Sequence, residues 1–288
     1  MKTKSPAALG LVAAALVLSS APEARADWPE DHLDTVDLLF SEYTPANNEY
    51  DEPSKIEFVD GELVIAAVCG GFVAQLLKMS YPDILTASLL QSLTGSPSPN
   101  STTWHAAIVD EATVETDDGV YAFVHRVDAD EIAAGDILAA EYPKSGQTGH
   151  TMMVYAIDPP TEVASTIPGY AAVSRYRVTV VDSTKSVHQD SKGSSDTRYL
   201  HDVDAQGNAV NDRGFGSGEI YLYADPESGE VIGWTWSLKQ SVAYQGVDPE
   251  PGKGVGEFRP IAAGRLTGPG LASGGHVDFA PATRLTWK

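Results

Sequence analysis

The pattern of apolar and polar positions predicts helices in the first third of the chain. Apolar residues recur three and four positions apart within residues 33–40 and again within 69–77, where they form one stripe of a helix. Pro82 ends the second of these helices, and residues 84–93 predict a third. The polar, proline-containing stretch 42–54 predicts a loop between the first two helices.

From about residue 120 the pattern changes to that of β-strands. Residues 137–142, 151–157 and 176–181 are rich in β-branched or aromatic residues and are bounded by Gly, Pro or Asp. Residues 220–224 and 231–236 predict a hairpin. Helices first and strands afterwards predict an α+β domain, in which the N-terminal helices pack on an antiparallel sheet.

The first 26 residues have the pattern of a secretory signal. Two lysines precede an apolar run over residues 7–18, and residues 24–26 (Ala-Arg-Ala) offer a small-x-small cleavage site. The run is shorter than the roughly 20 residues that a membrane-spanning helix needs. We therefore expect a secreted or periplasmic protein.

The remainder predicts one main domain, residues 27–240. The segment 241–288 is either a C-terminal extension or part of the same domain. Its glycine-rich stretch, 264–275, predicts no element. The whole chain is 42% hydrophobic, which is enough for one sizeable core.

The charge of the chain excludes two classes of partner. With 19 Lys and Arg against 40 Asp and Glu, the formal net charge is −21 at pH 7. Nucleic acids and anionic membranes both need basic patches on their protein partners. We expect neither as a partner, and we expect a monomer.

Cys69 is the one cysteine of the sequence, so the chain cannot form an internal disulfide. It stands at the predicted start of a helix, where unpaired backbone N–H groups and the positive end of the helix dipole favour a thiolate. Gly70 and Gly71 leave the backbone bare beside the sulfur, which predicts that a substrate carbonyl can approach there. The alternative is that Cys69 is a small core residue on the apolar stripe.

His150 and Asp182 are candidates for a base and its orienting group. His150 follows Gly149 at the start of one predicted strand, and Asp182 stands at the end of a later one, in the segment VVDST. A nucleophile, a base and an orienting carboxylate form the arrangement that activates a weak nucleophile. The alternatives are a histidine at a strand end and an acidic turn residue.

A polar segment follows Asp182. It carries His188, Asp190, Asp196 and Arg198, and we expect a solvated loop there. The alternative is that the segment lines a cleft, in which case His188 is predicted to contact the substrate. The spacing of Cys and His residues predicts no zinc site, and we expect neither a metal nor a cofactor.

The segments around these residues resemble the NlpC-type cysteine peptidases, compact papain-like enzymes of bacterial cell walls. That family's nucleophile lies in an Asp-Cys-Ser-Gly-Phe segment that opens a helix. Cys69, Gly71 and Phe72 match this segment, whereas Val68 replaces the Asp and Gly70 the Ser.

Three further segments carry the resemblance, which spans roughly residues 58–186. The family's Gly-Asp before a strand is similar to IAAGDIL, and its Gly-His strand is similar to the strand that His150 opens. Its third polar residue lies in a segment that resembles VVDST. Residues 158–173 are an insertion relative to the family, and Tyr50 is the candidate for the family's upstream Tyr.

The resemblance implies a papain-like fold and a covalent mechanism. In it, His150 takes the thiol proton, Cys69 attacks an amide carbonyl, and Asp182 orients the imidazole. The backbone N–H of Cys69 would help to stabilise the oxyanion. We therefore expect an exported cysteine hydrolase of amide or peptide bonds, with a peptide or amide partner such as a cell-wall peptide. Two alternatives are a catalytically inactive binding domain on the same fold and a structural surface protein with a buried Cys69.

Overall fold

The computed structural model describes residues 28–188, 196–199, 213–246 and 257–269. The predicted signal, residues 1–26, lies outside this part of the chain. All statements below refer to the described residues.

Helices occupy the N-terminal part of the fold. They are α1 (Trp28–Glu42), α2 (Cys69–Ser80), α3 (Ala87–Thr94) and α4 (Ser101–Val109). Thr86 accepts a hydrogen bond from the backbone N–H of Leu89, and this side-chain cap starts α3 at residue 87 rather than at the predicted residue 84. Asn100 caps α4 in the same way, through the N–H of Thr103.

Strands make up the rest. They are β1 (Asn48–Glu49), β2 (Lys55–Val59), β3 (Glu62–Ala66), β4 (Thr113–Thr116), β5 (Gly119–His125), β6 (Ile137–Glu141), β7 (Gly149–Ile157), β8 (Thr161–Ala164), β9 (Ala172–Thr184), β10 (Gly214–Ala224), β11 (Val231–Thr235), β12 (Tyr244–Gln245) and β13 (Ile261–Thr267). A small sheet has the order β1-β3-β2, and a large one has the order β12-β11-β10-β9-β7-β6-β13-β5-β4, with β8 on β9. The pairs of the large sheet are antiparallel. The predicted α+β class with an antiparallel sheet is confirmed.

The predicted strands correspond to β6, β7, β9, β10 and β11. Within β9, Tyr176, Val178 and Val180 are buried and alternate with partly exposed residues, as a half-buried strand requires. The sequence pattern missed α4 and the hairpins β2–β3 and β4–β5. Most positions of β2 and β4 are exposed, so neither strand shows an apolar face.

The helices cover one face of the large sheet. The apolar stripe of α2 enters a core that also contains Trp104 of α4 and Phe215 of β10. Phe72 of α2 packs against Phe215 with a ring centroid distance of 5.3 Å. Removing this stripe from water stabilises both the helix and its position on the sheet.

A buried histidine fastens α1 to this layer. Nε2 of His32 lies 3.1 Å from the carbonyl oxygen of Gly135, and Nδ1 lies 3.0 Å from the hydroxyl of Tyr81. Burial lowers the pKa of His32 to about 4, so the ring is neutral at physiological pH. The neutral ring donates to the carbonyl and accepts from the hydroxyl.

The other face of the large sheet encloses a second core, which includes Val178, Leu222 and Trp234. The sheet curls around this core, and the segment after β5 closes it. The backbone N–H of Val231 in β11 donates to the carbonyl of Val127 at 3.3 Å. The adjacent strands β7 and β9, in the middle of the sheet, carry the site described below.

The C-terminal strand β13 lies between β5 and β6. Gly264 in this strand allows α4 to pack closely, because a Cβ there would lie 2.7 Å from two side-chain atoms of Ile108. The glycine-rich stretch 264–275, for which the sequence predicted no element, therefore begins inside the large sheet. Residues 270–275 lie outside the described part of the chain.

None of the helices in the described part of the chain has both the length and the apolar character to cross a membrane.

Candidate functional site

The N-terminus of α2 places Cys69 beside strands β7 and β9 of the large sheet. Val68 precedes the helix in extended conformation, and its backbone N–H donates to Oγ of Ser54 at 3.1 Å. Oγ of Ser183 in β9 donates to the carbonyl of Ala67 at 2.6 Å. These two bonds attach the start of α2 to the neighbouring chain and to β9, beside Asp182.

The two glycines after Cys69 have a packing role. A Cβ on Gly70 would lie 2.5 Å from the carbonyl oxygen of Pro99, and a Cβ on Gly71 would overlap the side chain of Ser54. Both glycines are buried. The predicted contact of Gly70 and Gly71 with a substrate stays a prediction, because the close approach that they allow here is made by the protein's own chain.

The Cys69 sulfur lies among hydrogen-bonding groups. Its Sγ is 3.6 Å from Oγ of Ser101 and 4.0 Å from the hydroxyl oxygen of Tyr50. Burial alone would raise the pKa of this thiol. The charge of His150, together with hydrogen bonds from His150, Ser101 and the N–H of Thr151, outweighs burial and lowers the pKa to about 7. The thiolate form of Cys69 is therefore populated near neutral pH.

His150 bridges the thiol and a carboxylate. Its Nε2 lies 2.5 Å from Oδ2 of Asp182, which leaves Nδ1 for Cys69. Burial by itself would lower the pKa of His150, but the negative charge of Cys69 and the hydrogen bond to Asp182 raise it to about 9. A raised histidine pKa beside a lowered thiol pKa describes a thiolate–imidazolium pair.

Strand register brings His150 and Asp182 together. Met153 of β7 pairs with Val181 of β9, so Asp182 lies diagonally across from His150 on the same face of the sheet. Diagonal neighbours on adjacent strands are within reach of long or aromatic side chains. Gly149 has a φ of +130°, and a Cβ there would overlap the carbonyl oxygen of Ala140. This glycine lets β7 begin tight against β6.

Asp182 is fully buried and accepts hydrogen bonds at both oxygens. Oδ2 accepts hydrogen bonds from Nε2 of His188, at 3.0 Å, and from Nε2 of His150. Oδ1 accepts a hydrogen bond from a guanidinium nitrogen of Arg198. Burial would raise the pKa of Asp182, but the charges of Arg198 and His188 and the hydrogen bonds from both histidines hold it well below its usual range. Asp182 is thus an anion that is hydrogen-bonded to His150.

The expectation of a solvated loop after Asp182 is wrong for His188, Asp196 and Arg198. All three are buried, at 1% exposure or less. They were mistaken for loop residues because their charges compensate one another inside the protein, which composition alone does not reveal. Asp190 lies outside the described residues. The predicted substrate contact of His188 is untested, but its ring is occupied by Asp182 and by the carbonyl of Trp236.

Sequence reasoning did not single out Trp236. Its ring stacks on His188 with a centroid distance of 4.3 Å and meets His150 edge to face at 4.8 Å. Its Nε1–H donates to the carbonyl of Val187 at 2.9 Å. Trp236 therefore covers both imidazoles on one side. A lone Trp at the end of a predicted strand carries no signal of this position.

His150, Asp182 and His188 could also be read as metal ligands, since one ligand atom from each lies within 4.8 Å of the others. Their geometry favours a hydrogen-bond network instead. Oδ2 of Asp182 is shared by the two imidazoles, and the guanidinium of Arg198 contacts the same carboxylate. A cation bound there would be repelled by Arg198.

The structure thus brings Cys69, His150 and Asp182 into one buried cluster, with Tyr50 beside the sulfur. Such a cluster can supply a thiolate nucleophile, a proton donor and a fixed carboxylate near neutral pH. Comparison of the chain with protein-family models, with curated proteins and with solved structures found no match in any of the three.

Proposed function

We propose that the protein is a cysteine hydrolase that cleaves amide or peptide bonds through Cys69, His150 and Asp182. The observation that carries the proposal is the arrangement of the three side chains, with Cys69 at the N-terminus of α2 and His150 hydrogen-bonded through Nε2 to the buried Asp182. These surroundings lower the pKa of the thiol to about 7 and raise that of the imidazole to about 9. A buried structural cysteine would have its pKa raised instead.

In the proposed reaction, the Cys69 thiolate attacks the carbonyl carbon and forms a tetrahedral intermediate. The His150 imidazolium then protonates the leaving amine as the carbon–nitrogen bond breaks, which leaves an acyl group on the sulfur. Neutral His150 next takes a proton from water, whose oxygen attacks the thioester and releases the acid and the thiol. Asp182 keeps the ring oriented through both steps.

The backbone N–H of Cys69 and the Tyr50 hydroxyl are the proposed donors to the oxyanion. In the structure the Tyr50 hydroxyl donates to Sγ and accepts from the backbone N–H of Cys69. In the proposed reaction the substrate oxygen replaces both of these acceptors. Burial and the negative charge of Cys69 raise the pKa of Tyr50, so its hydroxyl remains a donor at neutral pH. Neutral donors that face the reacting carbonyl stabilise developing negative charge.

The architecture supports a papain-like arrangement of the NlpC type. A nucleophile at the N-terminus of α2 packs against antiparallel strands, and β7 and β9 supply His150 and Asp182. Tyr50, the candidate for the family's upstream Tyr, lies beside the Cys69 sulfur. The papain-like fold is part of this proposal.

Limited access to the sulfur bears on the class of substrate. Cys69 is 7% exposed and the His150 side chain 6%. The surface of a folded protein cannot reach side chains that are this little exposed, so the proposed substrate is a slender one, an extended peptide or a small amide. We therefore propose a flexible peptide, such as a cell-wall peptide, as the substrate of an exported enzyme.

Thiol labelling tests the proposal. The rate of iodoacetamide labelling of folded protein is followed from pH 4 to 9, for the wild type and for His150→Ala, with His125→Ala as a control outside the site. We expect wild-type labelling to rise around pH 7. In His150→Ala it should shift to alkaline pH, because burial then dominates the pKa of Cys69.

Turnover on a panel of peptides and amides completes the test, with Cys69→Ala as the blank. Hydrolysis that is lost in Cys69→Ala supports the proposal. Low-pH labelling without hydrolysis of any member of the panel would favour the inactive binding domain. A folded wild type that resists labelling throughout, while denatured protein labels normally, would overturn the proposal in favour of a structural cysteine.

A further inference from the structure

Alternating glycines in β10 leave space beside Asp182 for two side chains. Gly216 pairs with Asp182 in the register of β9 and β10. A Cβ on Gly216 would lie 2.8 Å from Cγ of Arg198, and one on Gly218 would lie 2.6 Å from Cδ2 of His188. Alternate residues of a strand face the same side, so these two glycines form a bare surface on which Arg198 and His188 lie.

Arg198 is held along the full length of its guanidinium. Nε donates to the carbonyl of Gly214 at 3.0 Å, Nη1 donates to Oδ2 of Asp196 at 2.8 Å, and Nη2 donates to Oδ1 of Asp182. Three separate acceptors fix the plane of a guanidinium group, whose donors have a rigid geometry. Arg198 therefore presents its charge to Asp182 in one orientation.

His188 is held as firmly. Its backbone N–H donates to Oδ2 of Asp196 at 2.8 Å, and its ring stacks on Trp236. Nδ1 lies 2.8 Å from the carbonyl oxygen of Trp236, and Nε2 lies 3.0 Å from Oδ2 of Asp182. Both ring nitrogens thus face acceptors.

We propose that His188 and Arg198 are positioning residues, which together keep Asp182 ionised and in one orientation so that it can hold His150 towards Cys69. The inference rests on the proposed function, since it assigns a role to Asp182 within that site. A carboxylate as deeply buried as Asp182 would otherwise take up a proton, and a protonated Asp182, having lost its charge, would hold the Nε2–H of His150 by a much weaker hydrogen bond.

Asp182 faces titratable or charged groups from several elements. Those that contact it or act on it through the network are Tyr50, Cys69, His150, His188, Asp196 and Arg198. Of these, His188 and Arg198 donate to Asp182 without belonging to the proposed reaction itself. Their removal should therefore change the ionisation of Asp182 while Cys69 and His150 remain in place.

The test uses four variants of the full chain. Arg198→Met with Asp196→Asn removes the guanidinium together with the charge of the carboxylate that it pairs with, and Arg198→Lys keeps the charge without the planar geometry. Gly218→Ala displaces His188 without changing any charge. Arg177→Met is the matched control, because Arg177 pairs with Glu219 on the same two strands. Circular dichroism verifies folding.

The main readout is proton NMR of ¹⁵N-histidine-labelled protein. The chemical shift of the Nε2–H proton of His150 reports the charge of Asp182, because a hydrogen bond to a carboxylate is shorter and stronger than one to a protonated acid. The pH limit of this signal, the pH at which the shift changes on acidification, should be about one unit or more higher in the Arg198→Met/Asp196→Asn variant and in Gly218→Ala than in the wild type. The limit for Arg198→Lys should lie between that of the double variant and that of the wild type, and the limit for Arg177→Met should match the wild type. In the double variant and in Gly218→Ala, kcat should fall about 10- to 100-fold, with KM little changed.

The proposal is overturned if the folded double variant keeps the wild-type pH limit of the His150 signal. If the double variant does not fold, Gly218→Ala decides, and a wild-type pH limit there has the same meaning. These signals do not depend on turnover. A wild type that hydrolyses no substrate would count against the proposed function, while the signals would still decide whether His188 and Arg198 hold Asp182.

Discussion

The hydroxyl oxygen of Tyr50 lies 4.0 Å from Sγ of Cys69, although a loop and the hairpin β2–β3 separate β1 from α2 in the chain. The polar stretch 42–54 brings Tyr50 to this position because β1 pairs with β3, whose end leads directly into α2. The proposed oxyanion donor and the proposed nucleophile are therefore positioned by the same small sheet.

Tyr50→Phe removes this hydroxyl and little else. If the hydroxyl stabilises the oxyanion, kcat should fall by about 10²-fold or more, with KM little changed. The labelling profile of Cys69 should stay close to that of the wild type, since His150 is intact. Tyr155→Phe, which removes a hydroxyl bonded to Asp37 away from the site, is the control. Equal activity of Tyr50→Phe and the wild type would exclude Tyr50 from the reaction.

Asp182→Asn should retain more activity than His150→Ala. The first substitution misorients the base, with an expected loss of about 10²- to 10⁴-fold in kcat. The second removes the base and should cost about 10⁵-fold or more. Turnover of both variants on one substrate measures the difference, with Asp130→Asn as an exposed control. Wild-type activity in Asp182→Asn would show that another group orients His150.

The pH dependence of kcat/KM should be bell-shaped. The thiol must lose its proton, and its pKa is lowered to about 7, so activity rises as the pH increases through that value. The imidazolium must keep its proton, and its pKa is raised to about 9, so activity falls above that value. A single rising limb that continues beyond pH 10 would contradict a thiolate–imidazolium pair.

Acidification should destabilise the fold through His32. Burial lowers its pKa to about 4, so below about pH 6.5 the unfolded chain binds a proton that the folded protein excludes. The free energy of unfolding should therefore decrease as the pH falls from 6.5 to 4, by about 3 kcal/mol from this group. Urea unfolding of the wild type and of His32→Gln measures the contribution. Parallel pH curves for the two proteins would refute it.

Gly264→Ala should destabilise the protein by about 1–3 kcal/mol, because the added methyl group meets Ile108. Ile108→Ala should destabilise it for the opposite reason, by leaving a cavity. The Gly264→Ala/Ile108→Ala double variant should then be more stable than the sum of the two single effects predicts. Simple additivity in chemical denaturation would mean that α4 and β13 do not pack as closely as the structure describes.

The sequence by itself determined the α+β class, the start of α2 at Cys69 and the main strands of the large sheet. These features follow from local periodicity. The stripe from Cys69 to Leu77 matches one face of a helix, and the alternation within β9 matches a half-buried strand. The same local patterns placed His150 at the start of β7 and Asp182 near the end of β9.

Only the tertiary structure decided what surrounds those residues. Arg198 and His188 looked like members of a solvated loop, because a buried charge is recognisable only from its partners, and those partners come from β9, β10 and the residue that follows β11. In the same way, Gly264 lies in a strand between β5 and β6 although its own neighbourhood showed no strand pattern. Contacts between residues that are distant in the chain decided both the burial of these charged side chains and the strand position of Gly264. Compensation of charge and completion of a sheet depend on such contacts.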